Sequence, residues 1–467
     1  MSAESRTLVR HLLRQDLLTF AHRCFQTVAP GQVYQHNWHL EAIAHQLMAC
    51  LEGRCRRLIL TLPPRGLKSL FCSVALPAFA LGRDPTQRLI CCSYAQDLAA
   101  KHARDCRSVM ESPWYREIFA RTRIDPRKNT EAEIETTGKG FRLATSVGGP
   151  LTGRGGNLVI IDDPMKPSDA YSEPKRTSVS QWYETTLLSR LDHKAEDVVI
   201  VVMQRLHVDD LVGYLLEQEG TAWTQLSLPA IAEADEIIPI GGGRVHRRAI
   251  REALHPAREP VAVLERLRAE MGSLAFAAQY QQTPLPLEGG LISWRWFRTY
   301  QLAPQRQSGD LVVQSWDTAS KAAETNDFSV CTTWLIRQQA CYLLEVLRGR
   351  LEYPALKRKA IELAKAAQPD AILIEDKGSG QSLIQELRDL GIHPIAIDPE
   401  GDKITRMSVQ SARIEAGHVL IPGCASWLGE FQREILSFPH GRHDDQIDSV
   451  SQALGWIFRR QIPLQIF

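Results

Sequence analysis

The chain has 467 residues, with 55 Lys+Arg against 54 Asp+Glu and a formal net charge of +1. At roughly 150 residues per domain this length predicts two or three domains, and the near-zero charge excludes a uniformly basic nucleic-acid binder while leaving room for a basic groove. The composition, 44% apolar and 23% charged, is that of an ordinary globular protein. No apolar run is long enough to span a bilayer, Met1 to Phe20 lacks the continuous apolar stretch of a secretory signal, and the ten cysteines, without C-x-x-C pairs or zinc-type spacing, read as buried thiols.

Residues 1–33 read as one amphipathic helix (Leu8, Leu12, Leu13, Leu17, Leu18) ending before Pro30-Gly31. The aromatic and polar cluster from Tyr34 to Leu40 opens a helix that runs to Leu51. Its Trp38 is a candidate adenine contact, and a helix N-terminus with a packed Trp is an equal reading. The β-prone run Leu58–Leu62 then enters a loop, Pro63-Pro64-Arg65-Gly66-Leu67, that delivers Lys68-Ser69 and a helix-length apolar segment, Leu70 to Leu81. Strand, tight loop, Lys-Ser and helix is the layout of a phosphate-binding P-loop. The free N–H groups that open such a helix suit an anion. Lys68 is the candidate for the phosphates and Ser69 for Mg²⁺, with Pro64, Arg65, Gly66 and Leu67 lining the nucleotide. The loop departs from G-x-x-x-x-G-K-[ST]: Leu62 stands at the first Gly, and Gly66 has slipped one place so that Leu67 precedes Lys68. Taken alone, the fragment reads equally well as a β-turn before a core helix.

A second strand (Arg88–Cys92), a helix (Gln96–Glu111), a hairpin (Ile134 to Ala144) and a glycine-dense loop (Gly148–Gly156) lead to the all-apolar strand Leu158–Ile161. At its C-terminal end, expected beside the P-loop strand, sit Asp162 and Asp163. Such a pair supplies one carboxylate for Mg²⁺, assigned to Asp162, and one to orient or deprotonate water, assigned to Asp163. A further apolar strand, Val198–Val202, ends in Gln204 and Arg205. Gln204 is placed to sense the γ-phosphate, with Arg205 next. Arg65 and Arg154 are rival arginine fingers.

The pattern loosens from Trp223 to Pro286, where a basic run (Arg244, His246, Arg247, Arg248, Arg251) predicts a loop and a solvated face, and a helix is expected over Val261–Gln281. The C-terminal third starts afresh, with a strand carrying Asp317, two further strands of a meander, then Ala371–Ile374 followed by Glu375, and a last helix opened by His443-Asp444-Asp445-Gln446-Ile447-Asp448. Acids on two strands and one helix of such a scaffold are the RNase H-like nuclease arrangement, in which converging carboxylates hold two divalent ions about 4 Å apart. Helical spacing puts Asp444 and Asp448 together beside the buried side marked by Ile447, Val450 and Leu454, with Asp445 more toward solvent.

These stretches together resemble the large terminase subunit of tailed bacteriophages, from about Tyr34 to Ile457: the P-loop from Leu62, Leu151 to Pro164, Gln204 to Leu211, Gln279 to Pro284, Ile374 to Gln381 and His443 to Asp448. The resemblance implies an α/β chain in which a P-loop (ASCE/RecA-like) ATPase domain precedes an RNase H-like nuclease domain. The expected boundaries are 1–33 (N-terminal helical segment), 34–230, 231–308 (linker or subdomain) and 309–467. It implies ATP and Mg²⁺ or Mn²⁺ as cofactors, with Gln204 as a coupling residue. Asp317, Glu375 and the Asp444, Asp445 and Asp448 cluster become nuclease ligands, and Asp327 an accessory acid. It further implies double-stranded DNA, a portal protein and a small terminase subunit as partners, with no membrane, and a homo-oligomeric ring docked on the procapsid in the host cytoplasm. Two other readings are a repair helicase-nuclease, which needs a second RecA-like domain, and a non-enzymatic capsid or portal-docking protein with structural acids.

Overall fold

The computed structural model describes residues 3–151, 153–218, 222–285, 290–318, 328–399, 401–441 and 443–461. The chain divides into two compact units, residues 1–267 with 274–286, and residues 268–273 with 287–467.

The first unit is built on a sheet of eight strands: β1 (Arg57–Thr61), β2 (Arg88–Ser93), β3 (Ile124–Asn129), β4 (Glu133–Thr136), β5 (Phe141–Ser146), β6 (Leu158–Asp162), β7 (Val198–Met203) and β8 (Thr224–Ser227). Their order is β3-β4-β5-β2-β6-β7-β1-β8, parallel from β5 to β8, with β3 and β4 antiparallel at one edge. Apolar side chains alternate between two cores as the pleat requires: Leu58 and Leu60 face one, Ile59 the other. β7 lies between the P-loop strand β1 and the acid strand β6. The expectation that the acid strand adjoins β1 is therefore corrected by one strand. The reason is burial: Val198 to Met203 are all buried, and a strand apolar on both faces belongs in the middle of a covered sheet.

The N-terminal segment is two helices rather than one. Ala3–Gln15 stops at Asp16, whose carboxylate accepts from Thr19 N at 2.8 Å and caps Leu17–Val28. Leu17 and Phe20 join the core that also covers one face of the sheet. The basic run after Trp223 is solvated as expected at Arg244, Arg247 and Arg251, but it is not a loop. It forms the second strand of a hairpin, β9 (Glu236–Gly241) and β10 (Arg244–Arg248), turned by Gly241, Gly242 and Gly243 at φ +87°, +60° and +71°. Its Arg248 is buried, ion-paired to Glu236 at 3.2 Å and donating to the Pro229 and Glu252 carbonyls. The helix expected over Val261–Gln281 breaks at Gly272 (φ +84°) into Val261–Met271 and Ser273–Gln279.

The second unit holds β11 (Arg298–Tyr300), β12 (Leu311–Asp317), β13 (Ser329–Arg337), β14 (Ala340–Gly349), β15 (Ala371–Glu375), β16 (Ile395–Ile397) and β17 (Val419–Pro422), in the order β11-β17-β14-β13-β12-β15-β16. β12, β13 and β14 are the antiparallel meander expected, and β15 and β16 continue the sheet in parallel from β12. This mixed sheet is not a second parallel RecA-like sheet. Trp316 and Trp334 are fully buried at its centre. The last helix, Asp445–Gln461, lies against β12 and β13.

Candidate active sites

In the first unit the loop after β1 reaches the helix through a strained path. Arg65 and Leu67 both take left-handed conformations, φ +64° and +59°, which non-glycine residues adopt at a cost of roughly 1–3 kcal/mol. A Cβ at Gly66 would come 2.7 Å from Leu62 Cδ1, the tip of a buried side chain that would have to shift. A wide π-type turn, Leu70–Ala75, then runs into the helix Leu76–Arg83. Lys68 is buried, with Nζ 3.2 Å from Asp163 Oδ2. Ser69 Oγ donates to Asp162 Oδ1 at 3.0 Å, and Ser73 Oγ, one helical turn on, donates to Asp162 Oδ2 at 2.6 Å. Ser73 was not singled out from the sequence, although its spacing from Ser69 puts both on one helix face. Burial pushes the Asp162 carboxyl upward against the pull of the Ser73 bond and Lys68. Asp163 is raised the same way, first by burial, with Lys68 opposing. Asp163 sits at φ +47°, and its Oδ1 accepts from Gln204 N at 3.3 Å. Lys68, Ser69, Asp162, Asp163 and Gln204 thus gather at the ends of β1, β6 and β7. The side-chain oxygen of Gln204 is buried without a donor among the described residues.

The arginines separate. Arg65 is exposed, and its guanidinium has no ion-pair partner among the described residues. Arg154 donates to Glu133 at 2.6 Å and stacks near Phe141. Arg205 is tied to Asp210 at 2.9 Å. Trp38 is 9% exposed with His246 stacked on it at 4.2 Å, so an adenine at that ring has to displace the imidazole.

In the second unit the register of β12 on β15 pairs Trp316 with Ile374, and one further step sets Asp317 beside Glu375 at the strand tips. The last helix is docked on this edge by buried hydroxyls. Ser315 Oγ donates to Ser449 O and Ser449 Oγ to Ser315 O, both at 2.8 Å, with Thr332 Oγ1 2.8 Å from Ser449 Oγ. That contact brings Asp448, one residue earlier, toward Asp317. Burial and then the charges of Asp448, Glu375 and Asp445 push the Asp317 carboxyl well above the usual range. No donor among the described residues hydrogen-bonds it. A carboxylate so placed, in the field of three others, fits a site that takes cations. The side chains are not drawn up around one point: among the described residues no group of three or more stands ready to enclose an ion.

The three helix acids differ. Asp448 is buried, bound by Lys403 at 2.7 Å and Arg406 at 2.6 Å. Asp444 precedes the first helical residue and meets Lys403 at 2.7 Å. Asp445 lies 3.9 Å from Arg348 and 4.0 Å from His443, and burial beside Glu434 raises it to about 6. Asp445, expected to face solvent, is instead more enclosed than Asp444, 17% against 38% exposed, and its charge acts on Asp317. Asp327 lies outside the described residues. A cavity of about 260 Å³ adjoins Glu375 and Asp448 and is lined also by Arg406, Arg413, Trp456 and Arg459. The loop after β15 is tight there: a Cβ on Gly380 would fall 2.1 Å from the Glu375 carbonyl oxygen.

Residues 314–455 match the family model described as the terminase RNase H-like domain. Across the chain, the large terminase of a thermophilic bacteriophage superposes with a TM-score of 0.53 at 11% identity, covering 91% of this chain and 100% of that one. The protein has the fold of a large terminase subunit. A second structure of that phage's large terminase, in complex with ATP-γ-S, gives a TM-score of 0.50 at 13% identity and covers 90% of this chain and 98% of that one. The large terminase nuclease of the thermophilic phage G20c with bound magnesium covers 36% of this chain and 98% of its own at 14% identity, with a TM-score of 0.29, too loose for residue correspondence. No protein of curated function matches the sequence. The architecture is a P-loop ATPase fold followed by an RNase H-like fold, and each sheet carries acids at its strand tips.

Proposed function

We propose that the chain is a phage DNA-packaging motor, an ATP-driven translocase of double-stranded DNA that also cuts concatemeric DNA with divalent metal. The observation that carries the reading is the pair of separate acid sets, Asp162 and Asp163 beside Lys68 and Ser69 in one unit, and Asp317, Glu375 and Asp448 in the other. ATP supplies the phosphoanhydride whose hydrolysis drives movement. Lys68 would leave Asp163 to place its ammonium on the phosphates, and Ser69 and Asp162 would hold Mg²⁺. Asp163, released from Lys68, would then take the proton of the attacking water. Gln204, whose backbone N–H already holds Asp163, links the end of β7 to that carboxylate. Arg65, without an ion-pair partner among the described residues, is the better placed finger, because Arg154 has to break from Glu133 first.

In the second unit Mg²⁺ or Mn²⁺ would be held by Asp317, Glu375 and Asp448, with Asp445 or Asp444 contributing. Divalent ions there activate water and stabilise the leaving oxygen. The cavity with Arg406, Arg413 and Arg459 supplies cationic side chains for phosphates beside those acids. The partners proposed are DNA, a portal protein and a small terminase subunit, with a homo-oligomeric ring on the procapsid in the host cytoplasm.

The test is a pair of substitutions assayed for ATP hydrolysis with and without DNA, and for plasmid cleavage with Mn²⁺. Lys68→Ala is expected to abolish DNA-stimulated hydrolysis and spare cleavage, and Asp317→Ala to do the reverse. One folded variant losing both activities would overturn the two-site assignment.

A further inference from the structure

Lys403 is the first residue of the helix Lys403–Glu415, which Asp402 caps by accepting from Thr405 N at 2.9 Å. A cation at a helix N-terminus opposes the helix dipole, so helix stability does not explain it. Its partners do. Nζ lies 2.7 Å from Asp444 Oδ1 and 2.7 Å from Asp448 Oδ2. Arg406, one turn on, takes the remaining oxygen, Asp448 Oδ1, at 2.6 Å. Both oxygens of the most buried helix acid are thus engaged by cations of a single neighbouring helix. An ammonium carries three donors and no lone pair, so it cannot itself ligate a metal, and its positive charge repels a divalent ion brought to the same carboxylates. The Lys403 side chain is 46% exposed, on a flexible four-carbon stem, and can swing into water. Arg406, at 21%, is the more enclosed of the two.

We propose that Lys403 is a resident cation of the acid cluster, holding the place of a divalent ion in the metal-free protein and withdrawing when one binds, so that it sets the metal affinity of this site. The inference rests on the nuclease reading of Asp317, Glu375 and Asp448. It assigns Lys403 a role through those acids rather than on the scissile phosphate. Its consequence is a site that stays unloaded at low metal concentration, and DNA handled by the chain is then spared from cutting until divalent ion and substrate are both in place.

The experiment titrates Mn²⁺ into the nucleotide-free full-length protein, followed by electron paramagnetic resonance, for wild type, Lys403→Ala and Lys403→Met. Asp317→Asn identifies the ion that belongs to the cluster. Loss of two charge-assisted hydrogen bonds that compete with the metal is expected to tighten Mn²⁺ binding by at least about tenfold in both variants. In chelator both variants should melt below wild type, and Mn²⁺ should raise their Tm by more than it raises that of wild type. The Met variant keeps the apolar stem should the Ala variant fold poorly. Equal or weaker Mn²⁺ affinity in the variants overturns the proposal and leaves the nuclease reading standing. Absence of any Asp317-dependent ion in all three proteins overturns both.

Discussion

His39 is buried two residues into the helix that precedes β1, with its carboxamide neighbour Asn37 against one ring nitrogen and His255 tilted at 5.8 Å. Burial, then the charges of His255 and Arg258, lowers its pKa to about 3. The neutral ring is therefore the folded form, while the unfolded chain binds a proton below about 6.5. Its contribution to stability is complete above that value and is lost as pH falls through the window down to about 3, by up to about 1.4 kcal/mol per pH unit. His39→Gln is expected to flatten the fall in thermal midpoint between pH 6.5 and 4. An unchanged slope would show that the acid lability lies elsewhere. The same scale holds the strain of the P-loop. Leu67 occupies the position where P-loops commonly carry glycine, and it takes the left-handed backbone that position demands. The departure legible in the sequence is thus one of residue type, and the left-handed backbone that accompanies it is visible only in coordinates.

The element that decides the second site is the last helix. Its first turn carries the acids, but the buried hydroxyls of Ser315, Thr332 and Ser449 determine where those acids stand. Ser449 is fully buried on a helix whose neighbours Ile447 and Val450 are apolar, so its polarity is unexpected unless a partner exists. Ser449→Ala removes the donor to the Ser315 carbonyl and leaves Thr332 Oγ1 with only the Trp334 Nε1–H, and is expected to cost about 1–3 kcal/mol in urea unfolding. It should also weaken Asp317-dependent Mn²⁺ binding. Retention of wild-type stability and metal affinity would mean that packing by Ile447 and Val450 alone sets the helix. The acid-bearing strands β6 and β15 were readable from their apolar runs, because a parallel strand buried on both faces leaves polar residues only at its end, whereas β12 carries buried Gln314 and Ser315 before Asp317. The ranking of Asp444, Asp445 and Asp448 was not readable, because it depends on which residue begins the helix and on cations supplied by Arg348, Lys403 and Arg406 from elsewhere in the chain.

At the scale of the molecule, two units each have their own sheet and buried core. Ligands of the two candidate sites should therefore act on different parts of the melting profile. In calorimetry, ATP-γ-S with Mg²⁺ is expected to raise the transition that Lys68→Ala makes insensitive to nucleotide, and Mn²⁺ alone to raise the one that Asp317→Asn makes insensitive to metal. At a ligand concentration about 100 times Kd each effect is worth about 2.7 kcal/mol. A single transition moved by both ligands, in both variants, would contradict this division. The stretch 231–308, expected as a linker or subdomain, is shared at this scale: the β9–β10 hairpin belongs to the first unit, and residues 290–308 belong to the second.

The sequence by itself determined the central strands of both sheets, the loop and the acids at the strand ends, because burial and chain connectivity act locally and leave a periodic trace. It also carried the resemblance that the fold bears out. The tertiary structure alone decided that β7 intervenes between β1 and β6, that Ser73 shares Asp162 with Ser69, and that Lys403 sits between Asp444 and Asp448. Strand order and ion pairing between distant segments depend on which surfaces meet when the chain closes, and no local pattern records that.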